Sequence, residues 1–168
     1  MTEKFVVDGG LVRFEVTSDG TTGPQWVERL MRGGKRIGDY GMGVLLSPEF
    51  LPTSGIVTKV VVLPCGLFYD EQDRPTTSKI CSYANQRGGL TRLNAEIACF
   101  IREFFSDKEI EQMGFEYIVA MHKAINISTG YPNLLGVSSY GFGHWLEGYC
   151  GKEDTPWNRH GGFAFAEQ

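Results

Sequence analysis

Phe115-Glu116-Tyr117-Ile118-Val119-Ala120-Met121-His122-Lys123-Ala124-Ile125 alternates with the period of two that marks a β-strand, and its two faces are unlike. Phe115, Tyr117, Val119 and Met121 point one way and are bulky. Glu116, Ile118, Ala120, His122 and Ala124 point the other way, a leaner side that carries a single histidine. A surface of this kind makes room either for a tightly docked helix or for a ligand.

The chain downstream repeats the asymmetry: Trp145, Glu147 and Tyr149 oppose His144, Leu146, Gly148 and Cys150, while Phe163 and Phe165 oppose Ala164 and Ala166. As antiparallel neighbours in natural register, these strands predict one aromatic sheet face and one lean face. Upstream, Leu11 to Val16 alternates as a half-buried strand, and Ile56 to Leu63 is rich in β-branched residues. Thr22 and Gln25 form a capping box for a helix carrying Trp26, Val27, Leu30 and Met31 inward. A short helix over Tyr40 to Leu46 is expected despite Gly41 and Gly43, and another from Ser78 to Arg87, closed by Gly88-Gly89. Asn94 reads as the N-cap of a helix through Phe105, with Ile97, Ile101 and Phe104 inward and Glu96, Cys99, Arg102 and Glu103 outward. Ser106 and Glu109 make a second capping box, for a short helix through Met113. No repeat or linker interrupts the pattern. The expectation is one domain over residues 1–168, of the α+β class, with a mostly antiparallel sheet of about five strands and three or four helices packed on one face.

With 42% hydrophobic residues the chain can build a real core, and its net charge of -4 is spread thinly. The densest basic group is only Arg32, Lys35 and Arg36, which argues against a nucleic-acid partner, because phosphate binding needs concentrated positive charge. The opening residues contain no secretory apolar segment and nothing approaches the ~20 apolar residues of a membrane span, so no membrane association and a cytoplasmic location are expected. Cys65, Cys81, Cys99 and Cys150 stand singly and read as free thiols. His144, His160 and Cys150 lack ligand spacing, so no metal is expected, and no motif asks for a cofactor. Asp19 to Gly23 reads as a capped turn, since it lacks the lysine and spacing of a phosphate loop.

His122 is the residue most suited to chemistry, since imidazole titrates near neutrality. On a structural reading the 94–105 helix covers the lean face and His122 is hydrogen-bonded to backbone or to Glu96. On a functional reading a small molecule binds in a pocket beside His122, with Glu116, Trp157 and Tyr131 as further ligand-binding candidates. A second functional reading uses the aromatic stretch Tyr131, Tyr140, Phe142, Trp145, Tyr149 and Trp157 to hold a partner protein or a second copy in a homodimer. A third makes His122 and Glu96 the catalytic pair of a small hydrolase or isomerase. Trp157, between Pro156 and Asn158, is the expected exposed contact.

The segments Asn94-Ala95-Glu96-Ile97-Ala98-Cys99-Phe100-Ile101-Arg102-Glu103, Ile118-Val119-Ala120-Met121-His122 and Pro132-Asn133-Leu134-Leu135-Gly136 resemble a group of short uncharacterised bacterial proteins. The resemblance extends to the Ser18 to Gly23 turn and to Gly162-Phe163-Ala164-Phe165. It implies a self-contained bacterial accessory domain of the kind often carried on mobile elements. It brings no activity, ligand or catalytic residue with it.

Overall fold

Alternating and β-branched runs become ten strands in the described residues, joined by five α-helices. In chain order these are β1 (Val6–Asp8), β2 (Leu11–Asp19), α1 (Gly23–Arg32), β3 (Arg36–Ile37), α2 (Asp39–Leu45), β4 (Ser54–Pro64), α3 (Thr77–Gln86), β5 (Leu90–Thr91), α4 (Glu96–Phe104), α5 (Asp107–Gln112), β6 (Tyr117–Ala120), β7 (Ile125–Asn126), β8 (Pro132–Ser138), β9 (Trp145–Cys150) and β10 (Gly161–Glu167). This computed structural model describes residues 3–87, 89–140 and 143–168. Gly88, expected at a helix end, and Phe142 of the aromatic stretch lie outside the described residues.

The strands form one mixed sheet in the order β1-β2-β4-β10-β6-β8-β9-β3, with β5 beside β10 and β7 beside β8. The α+β class stands, while the expectation of about five antiparallel strands is corrected to ten, with parallel pairs at β10/β6 and β3/β9. Four of the additional pieces, β1, β3, β5 and β7, are two or three residues long. Such pieces are too short to display a period.

The helices are also not all on one side. Trp26 and Leu30 of α1, Val44 and Leu45 of α2, Ile97 to Ile101 of α4 and Ile110 of α5 pack with Val12, Ile118, Ala120, Leu135, Val137, Leu146 and Ala164 on the lean face. Ile80 and Ala84 of α3 join Val61, Leu63, Tyr117, Val119, Met121, Phe163 and Phe165 on the other. The two-faced pattern therefore holds from Tyr117 to Met121, and a helix layer fills the lean side. Phe115 departs from it, packing with the lean-face cluster because the strand begins only at Tyr117.

Both capping boxes form as spelled out by Thr22 with Gln25 and Ser106 with Glu109. The interior of α4 differs from expectation: Glu96, Cys99 and Arg102, assigned to the outer side, are all buried, and Phe104 is half out. Thr53 covers Glu96, the Phe105 and Trp145 carbonyls with Asp107 cover Arg102, and α1 lies over Phe100 and Glu103. Trp26 stacks edge-on against Phe100 at 4.8 Å, and Arg29 sits 4.3 Å above the Trp26 ring while clamping Glu103 with two 2.6 Å hydrogen bonds and Asp19 with one of 2.7 Å. Those charge-assisted bonds raise the Arg29 pKa, the Glu103 pair being the largest cause.

Candidate functional site

His122 sits where the sheet is interrupted. β6 leaves β8 after the Val119 to Gly136 pairing, and β7 rejoins it at Ile125 opposite Asn133. Across that gap the Leu135 N–H donates to His122 Nε2 at 2.8 Å, and His122 Nδ1, 2.7 Å from the Lys123 carbonyl, carries the proton and donates to it. The ring is buried, and burial lowers its pKa to about 4. Both ring nitrogens are thus engaged by backbone and neither is free for proton transfer.

Glu96 is bound elsewhere. Its carboxylate accepts the Thr53 N–H at 3.0 Å and the Thr53 hydroxyl at 2.9 Å, and burial raises its pKa while those bonds pull it back. His122 borders a cleft of about 530 Å³ formed with Glu49, Leu51, Asn94 and Lys123, and Glu96 does not line it. Tyr131 is 55% exposed, does not line this cleft, and has the Lys152 ammonium 5.2 Å above its ring.

A second cleft, of about 400 Å³, opens on the aromatic face of the sheet where α3 does not reach. The candidates Glu116 and Trp157 meet there, together with Tyr117 of β6, Ser138 of β8, and Glu147 and Tyr149 of β9. Trp157 is buried instead of exposed, because its indole N–H donates to the Thr77 hydroxyl at 3.0 Å and its ring packs on Phe163 at 5.4 Å. Tyr117, Tyr149 and Trp157 form a continuous aromatic wall, with ring centroids 5.7 to 6.2 Å apart. Tyr117 donates its hydroxyl to the Asn158 carbonyl at 3.2 Å, and the Ser138 hydroxyl accepts the Tyr140 N–H at 3.1 Å. Burial raises the pKa of the Tyr117 and Tyr149 phenols, so both stay protonated.

Gly136 lies directly beneath the Tyr149 ring. A Cβ there would stand 2.6 Å from the Ile118 carbonyl oxygen and 2.8 Å from the Tyr149 ring, so only glycine lets that ring lie flat across β8. Beside it, Glu147 is half-buried and has no hydrogen-bond or ion-pair partner among the described residues, and burial alone raises its pKa. Arg74 also lines the cleft, but its Nε is committed to the Trp157 carbonyl at 3.2 Å. An aromatic wall with a partly desolvated carboxylate can bind a ligand.

Sequence reasoning missed Tyr117, Ser138 and Glu147 as site residues and named Tyr149 only within the aromatic stretch for a partner protein. The signal lay in Trp145-Leu146-Glu147-Gly148-Tyr149, where a carboxylate falls between two aromatics on one face. Nothing local to that run says that β8, and beyond it β6, complete the surface.

A third cluster is structural in its contacts. Arg102, fully buried, donates to the carbonyls of Phe105 at 2.8 Å and Trp145 at 3.2 Å and pairs with Asp107 at 3.0 Å. Asp107 accepts the His144 N–H at 2.7 Å, which holds His144 at a φ of 62°. The cysteines are free, and burial raises the thiols of Cys65, to about 11, Cys81 and Cys99, which removes them as nucleophiles. Among the described residues no helix is long and apolar enough to cross a membrane. Comparison with known protein families, curated proteins and solved structures gives no match.

Proposed function

We propose that this protein is a small-molecule binding domain whose ligand lies in the cleft walled by Tyr117, Tyr149 and Trp157. The observation that carries this reading is that three aromatic rings and Glu147, which has no ion-pair partner among the described residues, line one cleft whose described lining contains no helix residue. Flat apolar walls with a few polar groups are the usual make-up of a ligand site. The His122 cleft supports binding less well, because its one titratable ring is spent on the sheet. A hydrolytic or isomerising pair of His122 with Glu96 has less support again, since each side chain is occupied by its own backbone partners and the two share no hydrogen bond in the described residues.

The test is a thermal-shift screen of small polar and aromatic metabolites on three proteins: wild type, Tyr149→Ala and His122→Gln. A hit whose stabilisation disappears in Tyr149→Ala and persists in His122→Gln is the expected result. The opposite pattern would move the site to the His122 cleft and end this reading.

A further inference from the structure

We infer that the ligand of the aromatic cleft is an aliphatic amine cation with more than one ammonium group. The inference rests on the reading above and adds the chemical class. Three features of the cleft select it. First, carboxylates outnumber cations along its described lining: Glu147 has no cationic partner among the described residues and Glu116 is exposed at the rim, against Arg74, whose Nε is held by the Trp157 carbonyl. A neutral or anionic ligand would leave the Glu147 charge uncompensated in a partly dry site, whereas an ammonium offsets it.

Second, the wall beside Glu147 is the π-system of Tyr149, backed by Tyr117 and Trp157, which attracts cations over its faces and accommodates methylene chains. Third, the acidic character continues past the cleft. Glu116 and Tyr140 also border an adjoining depression lined by Asp107, Glu111 and Ser139. Glu116 precedes β6 while Glu147 lies in β9, two strands away and three ladder positions along, with Ser138 opposite both Tyr117 and Trp145. Standard strand spacing puts their backbones roughly 14 Å apart. A linear polyamine spans such a distance, and a single ammonium does not.

Isothermal titration calorimetry with spermidine, butylamine and N-acetylglucosamine on the intact chain tests this, using Glu147→Gln, Glu116→Gln and Tyr149→Ala variants whose melting curves show them folded. Expected are spermidine binding at least about tenfold tighter than butylamine, weakening with added salt, and a loss of about tenfold in each Gln variant. Spermidine affinity unchanged in both Gln variants would overturn the inference. Tight binding of the neutral sugar, lost in Tyr149→Ala, would overturn the amine class while leaving the cleft as the binding site. Absence of heat with every probe would overturn the amine class as well, and the metabolite screen would then decide the cleft by itself.

Discussion

His122 takes the place of a backbone carbonyl. Where β6 swings away from β8, the Leu135 N–H would be buried with nothing to accept it, and the imidazole supplies the missing acceptor while passing its own proton to Lys123. Replacing His122 by Ala leaves that amide unsatisfied next to a cavity, which should destabilise the fold by about 3 kcal/mol, read from urea midpoints at pH 7. The same geometry sets a pH dependence. Burial depresses the folded-state pKa to about 4 from 6.5, so the unfolded chain binds the proton first. The stabilisation from keeping the ring neutral is complete above pH 6.5 and is lost as pH falls towards 4, an effect on the order of 3 kcal/mol. The wild type should lose that much more stability than His122→Gln between pH 7 and 4; equal losses would rule the mechanism out. The histidine itself was legible as the single imidazole on a lean strand face. Its partner was not, because the break in the β6 ladder is a tertiary event that leaves no local mark.

At the scale of elements, glycine decides how closely helix and strand approach. α2 lies against β9 with almost no side chain between them: a Cβ on Gly148 would stand 2.6 Å from the Tyr40 Cβ, and one on Gly41 would stand 3.0 Å from the Leu146 carbonyl oxygen. Gly41 and Gly43 lower the helix propensity of Tyr40 to Leu46, and the structure shows what they allow in return, a close fit on the lean face and against Ile127. Gly148→Ala should therefore lower stability by about 2 kcal/mol, since the clash falls on backbone that cannot step aside. Chemical denaturation of that variant beside an exposed Gly66→Ala control, where a Cβ meets nothing within 4 Å, is the measurement, and equal stability would contradict the close-approach argument. The capping boxes, α1 and the long strands were readable because their signals are local: Thr22 with Gln25, Ser106 with Glu109, and sustained alternation. The burial of α4 on nearly every side was not, because it depends on Thr53, the Trp145 carbonyl and the Arg29 clamp of α1 arriving from elsewhere in the chain.

At the scale of the whole molecule, the decisive element is β10. It lies between β4 and β6, six residues paired with one and four with the other, and it also holds β5. Deleting residues 161–168 should abolish cooperative unfolding altogether, because two halves of the sheet lose their shared neighbour and the Phe163 and Phe165 side chains leave the core. Thermal melts followed by near-ultraviolet circular dichroism would show this as loss of the sharp transition. Alternation in Gly161 to Glu167 announced a strand, but its parallel seat beside β6 was hidden, as sequence order places it next to β9.

That central position carries a cost during synthesis. A ribosome that has delivered the first 160 residues has made nine of these ten strands, and β4 and β6 still face each other across an unfilled slot with their hydrogen-bonding edges bare. Those edges stay bare until Gly161–Glu167 is made, and a stop codon falling between residues 121 and 160 leaves a product with both of them exposed to pairing with other chains.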